Sequence, residues 1–186
     1  MPVASVDPMA SRMRRTFPAV GAALLALALV TGCAPEPAPT PTPTGFASDD
    51  EAFAAAEATV RDYFDASNVV DLSDPRTFDA VFALTTADQN AFDRKRYSEY
   101  SAEGYVLSGT SNVISTRPSS WDPAQEIAVV ETCLDVSSLD LKKSDGTSLV
   151  SSDRPDKQSL EITLKASSRQ FLISSIAGSD QPSCGA

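Results

Sequence analysis

Proline occupies every second position from Pro35 to Pro43 within the run Ala34 to Thr44. Each proline fixes φ and removes an amide donor, so this run can be neither a helix interior nor a central strand. It is confined to polyproline II, which advances about 3.1 Å per residue, so the run reaches on the order of 34 Å. Anything that folds must therefore lie on one side of it or the other. The chain divides into a leader, residues 1–32, a spacer, residues 33–45, and a candidate globular domain, residues 46–186. In an exported chain the spacer reads as a stalk rather than as a proline-rich ligand for a recognition domain, and its threonines are places where sugars could sit.

The leader has the layout of a secretory signal. Arg12, Arg14 and Arg15 precede an uncharged run from Phe17 to Val30, and small residues follow before Cys33. That run is shorter than the roughly 20 apolar residues of a permanent membrane span. Val30-Thr31-Gly32-Cys33 resembles the lipobox of bacterial lipoproteins. The resemblance implies that Cys33 is the lipidation site, carrying diacylglycerol with palmitate-like chains, and becomes the first residue of the mature protein. The expected location is then the extracytoplasmic face of the cell membrane, with the membrane itself as partner through the lipid anchor. Two acyl chains, at about 0.8 kcal/mol per buried methylene, hold such an anchor far more firmly than one. Residues 1–11 carry no positive charge and include Asp7, so translation can start at Met1, Met9 or Met13, of which Met13 gives a signal of normal length. Arg14-Arg15-Thr16-Phe17 overlaps the twin-arginine pattern, which leaves Sec and twin-arginine export both open.

Charge and composition then remove whole classes of function. The 15 Lys plus Arg against 25 Asp plus Glu give a formal net charge of −10, which denies a nucleic-acid binder its basic footprint. The leader holds three arginines and one aspartate, so the remainder is more acidic still. Anionic lipid headgroups repel such a surface, whose simplest role is solubility. Histidine is absent, which removes the Ser-His-Asp system and most metal sites. No cofactor and no metal is expected.

Within residues 46–186 the hydrophobic period changes once. Ser48-Asp49-Asp50-Glu51 offers a capping box, after which Phe53, Ala56, Val60, Tyr63 and Phe64 recur at helical spacing. Ser73-Asp74-Pro75 starts a short second segment with Phe78, Val81 and Phe82 inward. Thr86 to Gln89 repeats the capping pattern for a third helix, with Phe92, Tyr97 and Tyr100 as its buried positions and Gly104 as its stop. Beyond Gly104 the period is two: strands are expected over Tyr105–Ser115, Ile127–Val136, the alternating stretch around Leu160, Ile162 and Leu164, and Arg169–Ile176. Asp145-Gly146 and Arg154-Pro155 mark connections, and Pro118 to Pro123, which contains Trp121, is a loop by composition. Trp121 is expected to fold back over a sheet edge. Helices first and antiparallel strands second define an α+β domain, with the N-terminal helices packed on a curved antiparallel β-sheet.

With Cys33 lipidated, Cys133 and Cys184 remain, and two cysteines in an exported chain most often pair. A redox pair or metal ligands are the alternatives. The disulfide would contribute on the order of 4 kcal/mol and pin the tail, Asp180 to Ala186, to a strand.

Residues 46–184 resemble the exported domains of the nuclear transport factor 2-like superfamily (a cystatin-like, cone-shaped architecture) that actinobacteria attach to lipoprotein signals. The resemblance rests on a long first helix with Tyr63-Phe64 and Asn68 near its end, two shorter helices, the Cys133 strand before the Asp145-Gly146 turn, and Phe171-Leu172-Ile173 before Cys184. It implies a sheet bent around the first helix to leave an apolar pocket, for which Tyr63, Phe64, Tyr97 and Tyr100 are the candidate lining. Catalytic relatives place acids and bases in that pocket. Here Tyr63, Asp65, Tyr97, Tyr100 and Asp135 are the residues that could converge, although nothing in their spacing forces them together. The expected function is noncatalytic: an envelope lipoprotein that binds a small apolar ligand or an envelope protein. The alternative is a secreted enzyme of isomerase or dehydratase type. A homodimer through the outer sheet face is a further expectation, because Ile127 and Val129 alternate with Val130, Leu134 and Val136, so both faces of that strand are apolar.

Overall fold

The computed structural model describes residues 45–181, Cys184 and Gly185. The signal, Cys33 and the proline-rich spacer up to Thr44 lie outside the described residues, as do Pro182, Ser183 and Ala186 of the tail. All described residues belong to one compact unit that encloses the whole described core, which is what a separately folding domain requires. Among them no helix is long and apolar enough to cross a membrane.

Helix α1 spans Asp49–Asn68. Ser48 Oγ accepts from the Glu51 amide at 3.2 Å, and Glu51 reaches back to the Ala47 amide at 2.7 Å, one residue beyond the reciprocal bond of an ideal capping box. Three acidic residues in the first turn complement the helix dipole. Ala52, Ala56, Val60, Tyr63 and Phe64 form its buried stripe, with Phe53 only half-buried. Asn68 then clamps the end of α1 to the sheet: its side chain donates to Ser111 O and accepts from Ser111 N, both at 2.8 Å.

Asp74 caps a 3-10 turn, Pro75–Phe78, which runs into the short helix α2, Asp79–Phe82. Helix α3 spans Ala87–Ala102. The expected capping bond from Thr86 is not made. Instead the Thr86 amide donates to Ile173 O at 2.8 Å and the Ile173 amide to Leu84 O at 2.9 Å, so a strand rather than a side chain satisfies the entry to α3.

The main sheet is antiparallel, with spatial order β2-β3-β5-β6: β2 Asn112–Asp122, β3 Ile127–Asp135, β5 Lys157–Ser167 and β6 Gln170–Gly178. A second, two-stranded sheet pairs β1, Val106–Ser108, with β4, Asp140–Lys142. The single strand expected over 105–115 is thus two strands in different sheets. Gly109 divides them: its φ is +74°, and a β-carbon there would lie 1.8 Å from Ser138 O, so only glycine lets the backbones pass. The loop expected over 118–123 is also corrected, because β2 continues to Asp122. As an edge strand β2 tolerates Pro118, beside a register shift between Pro118 and Ser120. Further irregularities at Val113/Ser115 and Thr163/Leu164 bend their strands.

The helices pack on one face of this sheet. Along β3 the residues facing them, Ala128, Val130, Thr132 and Leu134, are buried and meet Val60, Val81, Ile162, Leu164 and Ile173. The domain is α+β, with N-terminal helices on an antiparallel sheet. Cys133 lies on the opposite face of β3 and is bonded to Cys184. The tail gets there by continuing β6: the Ser179 amide donates at 2.9 Å to the carbonyl of Ser159, the residue that pairs with Cys133 in register. Trp121 packs edge-on against Phe46 and Phe171, whose own rings stack with centroids 4.9 Å apart.

Candidate functional site

Between the C-terminal half of α1, the length of α3 and the sheet lies a cavity of about 400 Å³. Helix α1 contributes Tyr63, Phe64, Ser67 and Asn68, while α3 contributes Gln89, Phe92, Arg96, Tyr97 and Tyr100. Leu134 of β3, Leu160 of β5 and Ile176 of β6 form the floor, and Leu107 of β1 with Leu141 of β4 form a side wall. The small sheet is what encloses this end. The volume falls in the range of roughly 300–1,000 Å³ usual for small-molecule sites.

Tyr63, Phe64, Tyr97 and Tyr100 all line this one cavity. Asp65 does not: it is exposed on α1, a turn of about 100° away from the buried Phe64. Asp135 does not either. It sits on the outer face of β3, where it accepts from the Ser137 amide at 2.9 Å, and hydrogen bonds from Ser137 hold its carboxyl below the usual carboxylate range. The set of five converging donors and bases therefore reduces to three tyrosines. Phe92, expected to be buried, is 55% exposed and stands at the mouth of the cavity instead.

Behind the wall is a carboxylate that sequence reading missed. Asp93 is fully buried. Its Oδ1 accepts from Arg96 Nη2 at 2.8 Å and from Gln89 Nε2 at 3.1 Å, and Tyr63 Oη sits 3.2 Å and 3.1 Å from its two oxygens. Gln89 Oε1 in turn accepts from the Ile176 amide at 3.1 Å, so the network joins α1, α3 and β6. Burial pushes the Tyr63 phenol well up, which keeps it a neutral donor. The signal for Asp93 was present: Gln89, Asp93 and Tyr97 lie four residues apart on one face of α3, and Tyr97 was expected inside. Reading that face by hydropathy hid the polar pair.

Arg96 covers the network from the cavity side. Its guanidinium lies 5.1 Å from the Phe92 ring centre and 5.0 Å from that of Tyr97, within cation–π range. Its Nε is shielded from solvent and has no hydrogen-bond partner. An unmade bond of that kind costs about 1–3 kcal/mol. Arg154 is the second cation on the wall; its Nη2 donates to Val136 O at 2.6 Å and Leu139 O at 2.8 Å, bracing the connection from β3 to β4. Among the described residues no cluster of three Cys, Asp or Glu side chains could hold a metal ion.

Compared with protein-family models and with curated proteins, the chain matches none. Among solved structures, the intermembrane-space region of the chloroplast protein ARC6 is similar at 14% identity and a TM-score of 0.49, over 67% of this chain and 95% of that one. A putative aromatic ring hydroxylase from Novosphingobium aromaticivorans is similar at 12% identity and a TM-score of 0.47, over 71% and 96%. A designed β-sheet protein follows at 13% identity and a TM-score of 0.32, over 70% and 92%.

Proposed function

We propose that this chain is a lipid-anchored extracytoplasmic protein whose nuclear transport factor 2-like domain binds a small, largely apolar molecule without transforming it. The cavity of about 400 Å³ carries the reading, since its walls are mostly aromatic and aliphatic, with a few polar groups in fixed positions. The lipobox-like Val30-Thr31-Gly32-Cys33 supports the anchor, and the proline-rich spacer supports a domain held clear of the membrane. The state of Asp93 argues for binding over catalysis of isomerase or dehydratase type. That carboxylate is already engaged by Tyr63, Gln89 and Arg96, and so is held as a structural acceptor rather than as a poised base.

Native mass spectrometry of the membrane-extracted protein tests both parts. The expected spectrum shows a mature chain beginning at Cys33 with a diacylglyceryl adduct, together with a copurifying small molecule. The small molecule is lost when Leu141→Trp fills the cavity. A chain of unmodified precursor mass would end the lipoprotein reading. A ligand retained in full by Leu141→Trp would remove the cavity from the account.

A further inference from the structure

The charge on the cavity wall is opposite to the charge of the protein. The chain carries 25 acidic against 15 basic side chains, yet among the described residues the ionisable side chains lining the cavity, apart from its tyrosines, are Arg96 and Arg154, with no carboxylate. Asp93 offsets part of the charge of Arg96 but lies behind it, and it engages only the Nη2 end of the guanidinium. Arg154 spends its Nη2 on two backbone carbonyls and forms no ion pair among the described residues. Guanidinium groups present planar pairs of N–H donors that match the two oxygens of a carboxylate or phosphate, and such charge-assisted bonds are stronger where water is sparse. The remaining wall is apolar, with Leu107, Leu134, Leu141, Leu160 and Ile176 grouped on the sheet side.

From these features we infer that the natural ligand is an amphipathic anion: an apolar body lying against the sheet, with an acidic head group drawn to the guanidiniums of the cavity wall, Arg96 foremost. This rests on the binding role proposed above and specifies the class of molecule bound. A neutral apolar ligand would leave the two wall guanidiniums with no anion but Asp93, whereas an anionic head supplies one. The overall negative charge of the domain repels anions at long range, so affinity for one must come from these local donors.

Titration calorimetry near neutral pH separates the alternatives, using the chain from residue 33 onward with Cys33→Ser so that no detergent competes for the cavity. The probes are decanoate, decyl phosphate and decanol, which share one apolar chain. At least one of the two anions is expected to bind ten times or more as tightly as decanol, and the tighter of the two identifies the head group. In the double variant Asp93→Asn/Arg96→Gln, which leaves no buried charge unpaired, the ratio of anion to decanol affinity is expected to fall at least fivefold. Arg96→Lys keeps a cation for Asp93 but lacks the planar fork of donors, and is expected to lower the same ratio at least threefold should the double variant not fold. Equal affinity for all three probes would overturn the anionic head while leaving the cavity as a binding site. An undiminished ratio in Arg96→Lys would overturn the role of Arg96. No binding of any probe would overturn both this inference and the function on which it rests.

Discussion

The two ends of the space between helices and sheet are built from similar materials and finished differently. At one end Phe46, just ahead of α1, stacks on Phe171 while Trp121 closes on both edge-on, so these rings fill one another's space, and the hollow between the first half of α1 and β2 is the smaller one, about 250 Å³. At the other end the rings of Tyr63, Phe64, Tyr97 and Tyr100 stand around about 400 Å³ of open volume, walled by the two-stranded sheet. Aromatic content therefore does not decide whether a region becomes core or pocket. What differs is the third element. The filled end is closed by chain that inserts a side chain, whereas the open end is walled by β1 and β4, held in place by Gly109 passing against Ser138 and by Arg154 bonding to Val136 and Leu139.

The largest effect should come from opening the filled end. Phe171→Ala removes a ring that is 2% exposed and is expected to cost about 3–5 kcal/mol, read as a lowered urea midpoint. A cost under about 1 kcal/mol would mean that this end is less well packed than its ring contacts indicate.

Next in size is Asp93→Ala, which leaves Arg96, Gln89 and Tyr63 turned toward an acceptor that has gone. A loss of about 3 kcal/mol is expected, with Asp93→Asn recovering part of it because an amide oxygen still accepts. Equal losses for the two variants would show that the charge, and not the acceptor geometry, holds the network together.

At the cavity Leu141→Ala should cost about 1 kcal/mol or less, because the side chain is only half-buried and faces open volume rather than close-packed neighbours. Its contrast with Phe171→Ala sharpens the distinction between the two ends, and comparable losses would abolish it.

The smallest effect is one of pH. Hydrogen bonds from the Ala47 amide and from Arg169 hold the Glu51 carboxyl below its ordinary value of 4.5. Because the folded value is the lower one, the stabilisation is fully present above the unfolded value and fades as pH falls through the folded one. Glu51→Gln should therefore flatten the acid limb of the stability curve and leave the rest of its shape unchanged. A change confined to neutral pH would contradict this.

Helix α1 was legible because its cap, its acidic first turn and its apolar stripe all agree, and Ile162 and Leu164 were legible because strand alternation there is strict. The pairing of Cys133 with Cys184 was legible from the number of cysteines and from the export that the leader led one to expect. Tyr63, Phe64, Tyr97 and Tyr100 could be named as a group, but Asp65 and Asp135 entered with them for want of a third dimension. One step along α1 turns Asp65 away, and one step along β3 puts Asp135 on the far face. The break at Gly109 and the strand through Pro118 were hidden because local composition does not say which backbone passes nearby or which strand forms an edge.

By itself, then, the sequence determined the helices and the strands whose alternation is strict, because capping and periodicity act over a few neighbouring residues. Only the tertiary structure decided that Asp93 is buried, that its partners come from α1 and α3, and that two arginines of an acidic protein face one apolar cavity. Those outcomes depend on groups brought together across 30 positions between Tyr63 and Asp93, and across 58 between Arg96 and Arg154. Separation along the chain carries no information about direction in space, whereas burial and charge pairing are settled only where surfaces meet.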